Sequence, residues 1–339
     1  MNAKGLGLLA VVTVAALAAT TAVMKQNPSN IASDRRGQVV FPAIETKGAE
    51  ISSIDFKDGD KSITVERKDG GFVAAGSNYP VKLDVVRDLV ITAGSLRFEE
   101  AKTSDPTRYA DLGLGASAAP GGLDTGKQIS IKGAGGALIA TFTVGSRDMS
   151  VGGPQGGSYL RIGEDAQTWL VRGEVKLPGM KSDWFDNNLA KIEHDKVAKV
   201  EISGGDKDAL SVASPEAGKE LELASIPEGR TANPGSISRM SGIVESLDFQ
   251  DVRKAGAAPA ANARKYVAET RDGLVITMTP VGNAADNWVK IEVASKAEGS
   301  AELAKTLGAK IDGREFQLPG YQTDMFGWTM NDVSSDQKS

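Results

Sequence analysis

The chain has 339 residues, 40% of them hydrophobic, which is enough to bury a sizeable core in about two domains. Its formal net charge of −5, with no Lys/Arg stripe, argues against nucleic acid as a partner, because backbone binding needs clustered cations that displace counterions. The lack of cysteine excludes disulfides, thiol nucleophiles and thiolate metal sites, and it is compatible with export.

The first element is apolar. "GLGLLAVVTVAALAATTAV", Gly5 to Val23, is 19 residues without a charge, bracketed by Lys4 and Lys25. At ~1.5 Å per residue a helix of that length reaches about 28 Å, close to the thickness of a hydrocarbon core. Two readings stay open for residues 1–24: a transmembrane anchor, or a signal peptide whose small-x-small triplets a peptidase accepts. The run exceeds the usual signal h-region, which favours the anchor. Both readings give the same topology, N-in with the body outside the cytoplasm. Residues 25–48, which open on the polar and aperiodic "KQNPSNIASDRRGQ", read as a tether.

"ISSIDFKDGDKSITVERKDGGFVA" alternates apolar and polar residues around Asp/Gly turns and predicts a β-meander. A helix follows, with Val85, Val86, Leu89, Val90, Ala93 and Leu96 as its apolar stripe and Asp84 as N-cap. "FEEAK" is a short strand. Past a Gly-rich loop, strands are expected at Ile129–Lys132, Leu138–Val144, Tyr159–Arg161 and Trp169–Val171. The phrase "LPGMKSDWF" closes this part.

The second part repeats the order. "VAKVEISGGD" parallels "ISSIDFKDGD"; Ile237, Met240, Val244 and Leu247 form a helix stripe behind Ser236 as N-cap, and lie 151 positions after Val86, Leu89, Ala93 and Leu96. Gly282 falls on Gly145, "NWVK" on "SYLR", and "LPGYQTDMF" closes the part as its counterpart did. These matches predict an internal duplication. The expected fold is α+β: two tandem repeats of strand–strand–helix–strand plus antiparallel strands, preceded by one N-terminal transmembrane helix. Repeat 1 spans 49–194, repeat 2 spans 195–334, and 335–339 is a tail.

In the twice-written phrase, Pro-Gly turns the chain and Ser182 or Thr323 is expected to cap a short helix with Asp183 or Asp324 in its first turn. Trp184 and Phe185, like Met325 and Phe326, then fold back as a hydrophobic lock closing each repeat, or else form a paired contact surface for a partner. Tyr159 and Trp288, at matching places in "SYLR" and "NWVK", complete the candidate interaction residues.

Motifs of known chemistry fail on context. "GGLDTGKQ" (121–128) ends in Gln where a phosphate-binding loop needs Ser/Thr for Mg²⁺, and a strand follows it instead of a helix. "GGPQGG" (152–157) lacks nucleotide-loop spacing and reads as a hairpin connection. "DFKDGD" (55–60) lacks the distal acidic ligand of a calcium loop and reads as a β-turn. His194, the single histidine, stands in "KIEHDK" beside acidic residues and is expected to be solvated; no nucleophile-elbow motif accompanies it. No catalytic residue, cofactor or metal is expected, although 44 acidic residues leave a carboxylate pair open.

With those segments placed, the chain resembles the domain-of-unknown-function family numbered 4340. The residues that carry the likeness are the N-terminal apolar segment, "VVFPAIETKGAEISSIDF", "YPVKLDVVRDLV", "AKTSDPTRYADLGL", "VGSR", "YLR", "WLV" and "SDWFDNNL". The likeness is strong over about 40–190 and weaker beyond; the Ala/Gly-rich insert around Gly115–Gly122 departs from it. It implies a single-pass protein of the bacterial inner membrane with a periplasmic body, often encoded beside transport components similar to those of gliding-motility systems. It supplies no catalytic residues. The first expectation is therefore a non-enzymatic accessory or scaffold protein that meets integral-membrane transport or envelope proteins. The alternatives are a module binding a glycan, lipid or peptide, and a hydrolase using converging carboxylates.

Overall fold

Alternating residues such as Ile54, Phe56, Ile63 and Val65 need one face of a sheet to bury them, and all four are buried. The computed structural model describes residues 34–115, 126–151 and 156–337. Two compact units emerge: one holds the described residues up to Val73 together with Val81–Gly179, the other Ala74–Pro80 together with the described residues from Met180 onward.

In the first unit, helix α1 (Pro42–Lys47) leads into strands β1 (Ile51–Asp58), β2 (Lys61–Lys68) and β3 (Gly71–Ala74). The two-residue strand β4 (Tyr79–Pro80) belongs to the second unit. Helix α2 (Leu83–Ser95) and strands β5 (Arg97–Ala101), β6 (Lys127–Gly133), β7 (Leu138–Asp148), β8 (Gly157–Ile162) and β9 (Thr168–Arg172) complete the first. Its sheet runs β3-β2-β1-β6-β7-β8-β9-β5, and β1 pairs antiparallel with both β2 and β6. The α2 stripe is buried at Val86, Leu89 and Ala93. Gly94 is buried close to Ile44 of α1, where a Cβ would stand 3.2 Å from the Ile44 side chain.

The second unit contains β10 (Asn188–Ala190), β11 (Val197–Gly204), β12 (Leu210–Ala213), β13 (Glu222–Leu223) and β14 (Arg230–Ala232), then helix α3 (Pro234–Glu245). Next come β15 (Leu247–Asp248), β16 (Asp251–Lys254), β17 (Arg264–Thr270), β18 (Leu274–Pro280) and β19 (Trp288–Ser295), helix α4 (Ala301–Ile311) and β20 (Arg314–Gln317). Short helices α5 (Gly320–Thr323) and α6 (Met330–Val333) precede β21 (Ser334–Asp336). The main sheet runs β13-β12-β11-β17-β18-β19-β20-β16, with small ladders β10–β15 and β14–β21. Ile237, Met240 and Val244 of α3 are buried, and Tyr266 on β17 ties the helix to the sheet by donating to the Met240 carbonyl at 2.7 Å. Tyr79 packs edge-on against Phe185, Phe249 and Phe316 at 5.1–6.0 Å between ring centroids.

The α+β class and the antiparallel strands are as expected; several finer expectations are not. The tether does not extend to residue 48. Val40, Phe41 and Ile44 are buried, Phe41 lies 4.6 Å from the Phe142 ring, and Val39 bridges to Arg97. The boundary falls at Gly179/Met180, not at 194, because Trp184, Phe185 and the strand β10 complete the second unit's core. Residues 335–336 are not tail: they pair with Arg230 and Thr231. Asp84 lies inside α2, whose N-cap is Lys82, and α3 is capped by Asn233, which accepts from Ser236 N–H ahead of Pro234 at the first helical position. Ser182 lies inside its short helix, where the Asp183 carboxylate accepts from Met180 N–H at 2.8 Å, while Thr323 does hold the N-cap position before Asp324–Gly327 but makes no side-chain cap bond. The apolar segment Gly5–Val23 lies outside the described residues, among which no helix is long and apolar enough to cross a membrane.

Candidate functional site

At one end of the second unit's sheet, the β11–β12 turn, the β16–β17 connection, the β18–β19 turn and the second phrase surround a cavity of about 500 Å³. Trp288, at the start of β19, is half-buried on its wall. Arg253 lies over this ring, its guanidinium carbon 4.1 Å from the centroid, close enough for a cation–π contact. Arg253 is itself held by Glu315, whose Oε2 accepts from Arg253 Nε at 2.8 Å. The other Glu315 oxygen accepts from Gly256 and Ala257 N–H at 2.8 and 2.9 Å. Glu315 is only 2% exposed. Burial alone would raise its carboxyl, but the two backbone donors and Arg253 outweigh burial and hold it below the usual carboxylate range.

Arg264, 5% exposed, anchors the opposite side. Its guanidinium donates to the carbonyls of Phe326, Trp328, Ile202 and Asp208, which ties the second phrase to the β11–β12 turn. Lys207 donates to the Gly327 carbonyl at 3.0 Å. The Asp206 and Asp324 carboxylates also line the cavity, and neither accepts a hydrogen bond among the described residues.

A second cluster lies around His194. Its Nδ1 donates to Glu245 Oε1 at 2.6 Å, Nε2 lies 3.3 Å from Glu220 Oε2, and Ser241 Oγ is 3.2 Å from Nδ1. The expected solvation is therefore partial: the side chain is held between carboxylates distant in sequence. Ser241, histidine and glutamate together suggest nucleophilic chemistry, but the geometry opposes it. A triad needs the hydroxyl on the ring nitrogen opposite the carboxylate. Here Ser241 and Glu245 share Nδ1, Ser241 Oγ lies 2.5 Å from Glu245 Oε1, and Nε2 faces a second carboxylate. The hydrogen bond to Glu245 outweighs burial and raises the imidazole above its ordinary value.

Of the candidate interaction residues, only Trp288 and Phe326 share the cavity. Trp184, Phe185, Met325 and Phe326 are buried, so the phrase exposes its fourth residue instead, Met180 at 65% and Tyr321 at 68%. Tyr159 is half-buried on β8 and donates to Asp148 at 2.8 Å; burial and this carboxylate push its hydroxyl up to about 12. In "DFKDGD", Asp55 meets Lys132 and Thr64, and Asp58 meets Lys127, all within the first unit. Residues 121–125 and 152–155 of the two glycine-rich motifs lie outside the described residues. Arg253, Glu315 and Arg264 had no motif. Their one signal was a charged residue within an apolar strand pattern, as in "REFQ".

The model of a family described as "Domain of unknown function (DUF4340)" matches residues 72–267. The match begins after "VVFPAIETKGAEISSIDF" and reaches into β17, so it takes in both helix stripes. No curated protein and no solved structure matches the chain.

Proposed function

The chain belongs to the DUF4340 family, and from that premise we propose that it is a non-enzymatic accessory protein of a transporter or envelope assembly. In this reading residues 1–24 anchor it in the inner membrane, N-in, and two tandem α+β repeats stand in the periplasm as a scaffold for integral-membrane transport proteins. The observation that carries the reading is the strand order. Counting only the main-sheet strands that belong to each unit, and so leaving out β4, both orders run third, second, first, fifth, sixth, seventh, eighth, fourth. Burial at matched positions adds support: Val86 with Ile237, Leu89 with Met240, Ala93 with Val244. So does the entry to each repeat, where Val39 bridges to Arg97 and Asn188 pairs with Asp248. Sheet bodies with exposed edges are ready docking surfaces, and the one cluster of nucleophile, imidazole and carboxylate has the wrong geometry for attack.

Affinity capture of the full chain from its native membrane in mild detergent tests this. Co-purification of integral-membrane transport proteins is the expected result; repeated recovery of the chain alone overturns it. Since the chain has no cysteine, one Cys placed near Ser339 reports topology. Labelling by an impermeant reagent in intact spheroplasts is expected, and protection until lysis refutes the periplasmic body.

A further inference from the structure

The cavity in the second unit is built more elaborately than a scaffold requires. Its volume of about 500 Å³ lies in the range of small-molecule sites, roughly 300–1,000 Å³. One aromatic ring stands on its wall in a fixed orientation, because the chain Glu315–Arg253–Trp288 ends in a buried carboxylate with three donors. A ring immobilised in this way loses little entropy when a ligand lies against it.

The charges decide what such a ligand is. Asp206 and Asp324 are acceptors without a donor among the described residues. Arg264 gives both terminal guanidinium nitrogens to backbone carbonyls, and Lys207 gives one of its three ammonium donors to the Gly327 carbonyl. The two signs cancel. A full anion entering the cavity meets the carboxylates of Asp206 and Asp324, while a full cation meets Arg264 and Lys207. A neutral ligand incurs neither repulsion, and hydroxyl donors satisfy both carboxylates with charge-assisted hydrogen bonds. The negative face of an indole attracts the weakly positive C–H face of a pyranose ring. We propose that this cavity is a saccharide-binding site, in which a neutral sugar lies against Trp288 and donates hydroxyl protons to Asp206 and Asp324. The proposal extends the accessory reading without depending on it.

The test uses the purified full chain in detergent, titrated calorimetrically with a panel of neutral saccharides (N,N′-diacetylchitobiose, cellobiose, maltose and neutral envelope oligosaccharides). Glucose 6-phosphate and choline serve as charged probes. Saturable binding of at least one neutral saccharide is expected, weakened roughly tenfold by Trp288→Ala, the scale of one lost aromatic contact. Asp206→Asn with Asp324→Asn leaves the carbonyl ties of Arg264 and Lys207 in place, and is expected to weaken the same ligand while thermal unfolding stays unchanged. This double variant keeps the test valid if Trp288→Ala fails to fold. Three results overturn the proposal: no panel member binds, binding is indifferent to both variants, or a charged probe binds more tightly than every neutral sugar.

Discussion

The two units lay one strand order beneath two different ends. In the first, the connection from β5 to β6 covers the sheet end: a Cβ on Gly145 would stand 2.2 Å from the Leu112 carbonyl oxygen and 2.9 Å from the Leu114 side chain. In the second, the corresponding connection from β16 to β17 is only residues 255–263, and a Cβ on Gly282 would meet nothing closer than Arg253 at 3.7 Å. Gly282 is required for its backbone, with φ of +69°, and Gly145 for the lack of a side chain. One sheet is thus a closed body where a connection caps it and a cleft where the connection is short. The framework sets stability; the connections set what can bind.

The largest expected effect follows from the strand that closes each sheet. Beside Phe316 the second unit carries the buried carboxylate of Glu315, whereas beside Val171 the first carries buried Leu170. Glu315→Ala orphans two backbone donors and Arg253, and is expected to cost roughly 3 kcal/mol at pH 7. Because folding depresses this carboxyl, its contribution is present above the ordinary value of about 4.3 and is lost as pH falls through the lower folded value. Urea midpoints should therefore show the gap between wild type and variant closing below about pH 4. Leu170→Ala should cost about 2–4 kcal/mol with no such closing. A pH-independent Glu315 gap would show that the carboxylate does not hold Arg253 and Trp288 in place.

Next in size is the glycine pair. Gly145→Ala forces backbone apart beneath Leu112 and is expected to destabilise the first unit by ~2–3 kcal/mol. Gly282→Ala has room and suffers only its left-handed backbone, about 1 kcal/mol, and Gly282→Asn should recover most of that because Asn tolerates positive φ. Hydrogen exchange read unit by unit checks both. Equal costs at the two sites would remove the contrast between a covered and an open end.

What could be read from the amino acids was whatever repeats at a period. The stripes at Val86/Leu89/Ala93 and Ile237/Met240/Val244 and the buried ends of both phrases are contiguous side-chain patterns, and each lies in the core. The segment leading into each unit's sheet carries no sequence pattern because main chain holds it: Gly37 N–H donates to Phe98 O at 2.8 Å and Phe249 N–H to Asn187 O at 3.0 Å, contacts any side chain permits. The caps at Ser236 and Ser182 differ from expectation because Ser competes with an Asn-Pro pair in one case and with the very next residue, Asp183, in the other. The cavity left no pattern either. It arises from residues that the second connection lacks, and Asp206, Trp288 and Asp324 converge only through the sheet.

The smallest effect separates the units by proton. The single histidine belongs to the second unit, clamped by Glu245 and Glu220. Its folded pKa is raised, chiefly by the bond to Glu245, so its contribution is fully present below the ordinary value of about 6.5 and vanishes as pH climbs through the higher folded value. The side chain is 34% exposed, and solvent screening limits the pair to roughly 0.5–1 kcal/mol. His194→Gln is therefore expected to lower the urea midpoint at pH 6 and to match wild type by about pH 9, with the change confined to exchange-protected amides of β11, β17 and α3. The opposite slope would mean a neutral ring that accepts from Ser241. In that case Ser241 would be restored as a candidate nucleophile, and the accessory reading would lose the geometry that sets it apart from an enzyme.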